Sequence, residues 1–163
     1  MAAARWVFRG LYRQLPVSFD RLAVTSGVAV GLLWIGLEMS GDGGATEAVA
    51  VAGLGAGAFV AWAVFRMLGT ILFVPMIEEF FFRGYLLARF PADDLRLRWL
   101  GLGVTSALFA LLHGRWVEAF LAGLVFGRVM LRRGRVSDAV QSHMAANATV
   151  ALWASATGQW DLI

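Results

Sequence analysis

Three charged side chains, Glu78, Glu79 and Arg83, fall within six positions near the middle of a largely apolar stretch running from about Met67 to Phe90. A charge at the centre of a membrane-spanning helix costs about 2.5–3.5 kcal/mol on insertion scales, so each of the three needs a physical reason to be there. Glu79 and Arg83 stand at i and i+4, neighbours on one helical face, and can neutralise one another as an ion pair. Glu78 is rotated about 100° from Glu79 and has no cation on its own helix. It is the available carboxylate. The chain has two histidines, and both lie in apolar segments. His113 follows Phe109 by four residues and His143 precedes Asn147 by four, so each pair shares a face. One carboxylate, two imidazoles and an amide from three segments suit hydrolysis inside a membrane cavity. The carboxylate can hold and deprotonate a water, and one imidazole can orient that water or deliver a proton to the leaving amine. The second imidazole and the amide NH2 can stabilise the oxyanion.

The elements that must position these groups follow from composition. The chain has 163 residues, of which 60% are hydrophobic and 15% charged, with a mean hydropathy of +0.71. Soluble domains average about 45–50% apolar and about 25% charged residues. The solvent implied is a bilayer. All 14 basic residues are arginine and the net charge is +3. The arginines cluster between apolar runs, which reads as membrane-flanking anchors and argues against a nucleic-acid partner. Cysteine is absent, which excludes disulfides, thiolate metal sites and a cysteine nucleophile. No small-residue cleavage site followed by a polar mature domain marks a signal peptide.

Residues Met1 to Asp20 intersperse Arg5, Arg9 and Arg13 with aromatic and aliphatic residues, predicting an amphipathic interfacial helix that ends before Pro16. Hydrophobic segments follow at about Leu22 to Met39 and Ala48 to Phe65, separated by the turn-rich Ser40 to Gly44, and then at Met67 to Phe90. The last three run from about Trp99 to His113, Trp116 to Leu131 and Val136 to Thr157. The expected architecture is therefore an all-α, polytopic transmembrane bundle of about six segments. It divides into residues 1–66, the surface helix and two membrane helices, and residues 67–163, which carry the chemistry. The positive-inside rule favours a cytosolic side for both the Arg89 to Arg98 and the Arg132 to Arg135 loops. Six strict spans would then place the arginine-rich N-terminus outside, so its side stays open. His113 also falls near the far end of its segment while His143 lies a third of the way along its own, so a tilt, kink or extended helix must bring them level.

Glu78-Glu79-Phe80-Phe81-Phe82-Arg83 reads as EExxxR, Phe109 to His113 as FxxxH, and His143 to Asn147 as HxxxN. Three such motifs in this order, each in a hydrophobic segment, resemble the CAAX protease and bacteriocin-processing family of intramembrane proteases (CPBP, also called Abi or Rce1-like). The resemblance covers about Met67 to Thr157, and the Gly158-Gln159-Trp160 ending looks like a prenyl-protease-related branch associated with exosortase systems. It implies that Glu78 activates the attacking water, that His143 helps position it, and that His113 and Asn147 form the oxyanion site. Glu79, Arg83 and Phe109 would support them. The implied partner is a membrane-associated protein or peptide, lipidated or not, cleaved near a membrane-anchored end within the bacterial inner membrane. No cofactor is required on this reading. The alternative is a divalent metal such as zinc on Glu78, His113 and His143, although the chain lacks the HExxH spacing that sets two zinc ligands on one helical face. Fewer segments precede the glutamate motif here than is usual in the family.

Plainer readings exist for several of these residues. The Glu79–Arg83 pair explains its own survival in lipid, and Arg115 and Glu118, at i and i+3, can pair at the interface. Phe80, Phe81 and Phe82 suit packing or lipid contact, and the seven tryptophans read as interfacial belts. Two further functions compete with proteolysis. One is a catalytically silent membrane or immunity partner that binds through the same groove, and the other is a bis-histidine haem protein using His113 and His143. The haem reading leaves Glu78 without a task.

Overall fold

Asp20 and Asp94 begin two of the helices by the same device. Each aspartate accepts backbone N–H bonds from the first turn of its helix, at 2.8 Å from Leu22 and 3.2 Å from Ala23, and at 2.8 Å from Arg96 and 3.1 Å from Leu97. The computed structural model describes residues 18–38 and 53–163. These form five helices and no strand among the described residues: α1 (Arg21–Glu38), α2 (Ala56–Arg89), α3 (Leu95–Ala110), α4 (Trp116–Arg133) and α5 (Val136–Thr157). A final 3-10 turn spans Trp160–Leu162. Gly134 and Gly158, at φ 67° and 79°, end α4 and α5 in the left-handed conformation that glycine adopts without strain. The expected surface helix and the Ser40 to Gly44 turn lie outside the described residues, apart from positions 18–20.

The structure is all-helical as expected, but the second and third segments are not separate. α2 runs through Arg66 and Met67 for 34 residues, about 51 Å at 1.5 Å per residue. Pro75 lacks the N–H that an α-helix needs, yet it does not end α2, because the turn ahead of it changes register. Gly69–Phe73 is π-helical, with the Val74 N–H reaching back to the Gly69 carbonyl. Phe80–Leu86 forms a second π turn. Such insertions let a helix absorb an awkward residue and concentrate at functional sites. Glu78 and Glu79 sit on the short α-helical piece between the two. By length and composition, α1 and α2 are both able to cross a membrane.

α1 packs closely on α5 because two glycines face it. A Cβ at Gly27 would stand 1.9 Å from the Ser142 carbonyl oxygen, and one at Gly31 would stand 2.6 Å from that of Ala146. Small residues four apart permit this backbone approach in apolar surroundings. Polar contacts fix the two ends of the bundle. At one end the Asp20 carboxylate accepts from Arg132 and Arg133, Gln141 Nε2 donates to the Ser18 carbonyl at 3.0 Å, and Arg98 Nη2 donates to the Leu131 carbonyl at 3.1 Å. At the other end Arg115 pairs with Glu38 and, at 3.0 Å, with Glu118. The starts of α1, α3 and α5 and the ends of α2 and α4 therefore share the arginine-rich end.

Candidate active site

Glu79 and Arg83 have fully buried side chains and form the expected pair, with Arg83 Nε 3.2 Å from Glu79 Oε2. Gly123 on α4 makes room for the guanidinium, whose Nη2 donates to the Gly123 carbonyl at 2.7 Å. The same cation lies 4.8 Å from the Phe109 ring centroid, within cation–π range. Glu79 has a second oxygen, and it faces α5: Oε1 lies 3.1 Å from His143 Nδ1. A carboxylate only accepts, so this contact places the His143 proton on Nδ1 and turns Nε2 outward as the acceptor of the neutral ring.

Nε2 of His143 lies 3.9 Å from Glu78 Oε2, too far for a hydrogen bond. Among the described residues that buried Glu78 oxygen has no hydrogen-bond partner. An orphaned acceptor of this kind, facing an imidazole, is where a reacting group can be held. His143 itself is fixed by stacking on Phe126, with centroids 4.5 Å apart and planes at 16°. Phe126 and His143 each stand seven residues from the tight turn between α4 and α5, about 10 Å of helical rise, and so lie level.

His113 does not end a helix as expected. α3 stops at Ala110, because a tighter turn carries the His113 N–H to the Ala110 carbonyl at 3.0 Å. The imidazole folds back over Phe109 with centroids 4.5 Å apart, and Nδ1 donates to the Phe109 carbonyl at 2.9 Å. This fold-back brings the ring to the depth of Phe109, which also meets the His143 ring at 5.7 Å. Like His143, neutral His113 therefore presents Nε2 as an acceptor. Asn147 uses one amide N–H on the Thr70 carbonyl at 2.8 Å, in the first π turn of α2. Its second N–H remains for another acceptor.

Glu78, His113, His143 and Asn147 line one cavity of about 200 Å³, together with Phe109, Thr70 and apolar side chains of α1, α4 and α5. All four residues expected to carry chemistry are thus brought together. Sequence reasoning missed the Glu79 contact with His143 and the part played by Thr70. The unused second oxygen of a carboxylate already paired with arginine was a signal for the first, and the sequence holds none for the second. Among the described residues no group of three or more histidine, cysteine, aspartate or glutamate side chains stands close enough together to hold a metal ion.

The sequence model of a family described as type II CAAX prenyl endopeptidase Rce1-like matches residues 60–149, which include every motif residue. An Escherichia coli protein described only as an uncharacterized 24.3 kDa protein is 32% identical over 89 residues, covering 51% of this chain and 41% of that relative. No solved structure matches.

Proposed function

Since the chain belongs to the type II CAAX prenyl endopeptidase Rce1-like family, whose members are membrane-embedded proteases, we propose that it is an intramembrane endopeptidase in which Glu78 activates the attacking water. The observation that supports this reading most is the buried, unpartnered Glu78 Oε2 facing His143 Nε2 at 3.9 Å. A water held there donates one hydrogen to each acceptor and directs its lone pair at a substrate carbonyl. Glu78 takes the proton as the C–O bond forms, then passes it to the leaving nitrogen as the C–N bond breaks. Glu79 holds His143 in the tautomer this geometry needs.

The oxyanion falls to Asn147 and His113. Asn147 donates its remaining N–H. His113 has its Nδ1 hydrogen on the Phe109 carbonyl, so its role is at Nε2, which accepts in the neutral ring and donates to the oxyanion when that nitrogen carries a proton. No step runs through a metal. The substrate is a membrane-associated protein or peptide cut near its membrane end, with C-terminal processing and lipidated termini included. The arginine-rich end of the bundle faces the cytosol of a bacterial inner membrane, as the positive-inside rule favours. Glu78→Ala, His113→Ala and His143→Ala, each expressed in place of the wild-type chain, test this reading through the termini of membrane proteins. Loss of one processed terminus in all three supports it. Full processing by all three removes it and favours a silent binding partner.

A further inference from the structure

Arg128 is a charged residue inside α4, more than a turn before that helix ends at Arg133, and neither the cavity chemistry nor the clasps at the bundle ends use it. Charges within membrane helices usually find a partner or mark a functional site. The Arg128 guanidinium lies 5.5 Å from the Trp99 ring centroid on α3, within cation–π range. Among the described residues it has no carboxylate partner. Arg132 follows one turn later on the same face, about 6 Å nearer the end of α4, and its Nη2 donates to the Asp20 carboxylate. Arg128, Arg132 and Trp99 line a groove of about 680 Å³ between α1, α3 and α4, within the about 300–1,000 Å³ of ligand sites. Its remaining walls are leucine and valine side chains and Ser26. Leu102 is buried there, whereas Leu22 and Trp99 are 46% and 47% exposed, so the groove opens sideways onto the surface that meets lipid.

We propose that this groove binds an anionic phospholipid, with the phosphate on Arg128 and Arg132 and an acyl chain along Leu22, Leu102 and Leu124. The order of the side chains along α4 matches such a molecule. Arg132 and Arg128 lie toward the arginine-rich end, and Leu124 stands a further turn, about 6 Å, toward the middle of the bundle. The groove is lined by two cations and no carboxylate, so its electrostatic complement is an anion. A guanidinium presents a planar fork of N–H donors that suits two phosphate oxygens. On the orientation proposed above, this end meets the cytosolic leaflet, whose anionic lipids bind at basic pockets between membrane helices. Residues 1–17 precede the groove in the chain, but they hold Arg5, Arg9 and Arg13 and no acidic residue, and so repeat its charge. A lipid seated there touches α1, α3 and α4 together and adds to the clasp that Asp20 makes with Arg132 and Arg133.

The test uses the full chain in an uncharged detergent with a fluorescent phosphatidylglycerol, displaced by unlabelled phosphatidylglycerol, phosphatidylcholine or inorganic phosphate. The labelled lipid binds saturably, and phosphatidylglycerol displaces it about tenfold more effectively than phosphatidylcholine, or better. Inorganic phosphate at the same concentration leaves it bound. Arg128→Gln brings the ratio of the two lipids to about one, while Arg128→Lys, which keeps the charge, retains part of it. Arg96→Gln, at the same end of the bundle but outside the groove, leaves the ratio unchanged. Because the ratio is read within each protein, misfolding cannot mimic the result. Equal displacement by the two lipids, an unchanged ratio with Arg128→Gln, or the same loss with Arg96→Gln overturns the assignment. Displacement by inorganic phosphate overturns it in favour of a free-phosphate site, and absence of saturable binding overturns it in favour of residues 1–17 as the groove's occupant. Cleavage does not enter the readout, so the outcome is independent of the peptidase reading.

Discussion

Nδ1 of His143 donates to Oε1 of Glu79 across 3.1 Å, joining residues 64 positions apart. The same carboxylate faces Arg83 at 3.2 Å, so one buried group both neutralises a cation and sets an imidazole tautomer. The two jobs separate experimentally. Arg83→Met alone leaves Glu79 as an unpaired buried charge and should cost about 3–5 kcal/mol of stability. Glu79→Leu with Arg83→Met should recover much of that loss, while turnover stays about 10²–10⁴-fold low because His143 has lost its acceptor. Unfolding midpoints in detergent and turnover on one reporter substrate give both numbers. Recovery of turnover along with stability would show that Glu79 is structural only.

Gly27 and Gly36 lie on the same helix but differ in surroundings. Gly27→Ala puts a methyl into the Ser142 carbonyl beside His143, whereas a Cβ at Gly36 meets nothing within 4 Å. The first should lose about 1–3 kcal/mol to overpacking and lower turnover, and the second should stay within about 0.5 kcal/mol of wild type. Thermal unfolding of the two variants side by side checks this.

Asp20 lies ahead of α1, and its hydrogen bond from Arg133 holds the carboxyl below its ordinary value, aided by the Ala23 and Leu22 N–H groups and by Arg132. A carboxylate depressed on folding adds stability above the ordinary carboxylate range, and this is lost as pH falls through the folded value. The wild type should therefore lose more thermal stability than Asp20→Asn as the pH is lowered from neutral through the carboxylate range. Parallel slopes for the two proteins would show that the Asp20 clasp does not act this way.

Because the proposed route takes its nucleophile from a water held between Glu78 and His143, prolonged EDTA treatment should leave cleavage unchanged. A rate that falls on chelation and returns with added zinc contradicts the water-only route.

The residues that meet in the cavity were legible where the signal was local. Glu79 and Arg83 are one turn apart on a helix, and that spacing alone places them in contact. His143 and Asn147 share a face for the same reason, and α5 has the expected limits of Val136 and Thr157. Contacts across helices were not legible: nothing in the spacing ties Glu79 to His143 or Asn147 to Thr70. The continuity of α2 was not legible at the boundary expected between Phe65 and Met67, where Arg66 interrupts the apolar run, and the π turn that absorbs Pro75 has no sequence signature. His113 left its helix through a tightened last turn, where helix ends are hardest to place.

Glu78 is the residue on which the proposed chemistry turns. Wild-type protein and Glu78→Gln, reconstituted in liposomes at equal amounts and with matching unfolding midpoints, are to be compared on one membrane-anchored reporter peptide, with products read by mass spectrometry. A new terminus made by the wild type, and reduced at least about 10²-fold in Glu78→Gln, is the predicted result. Equal cleavage by the two proteins contradicts it.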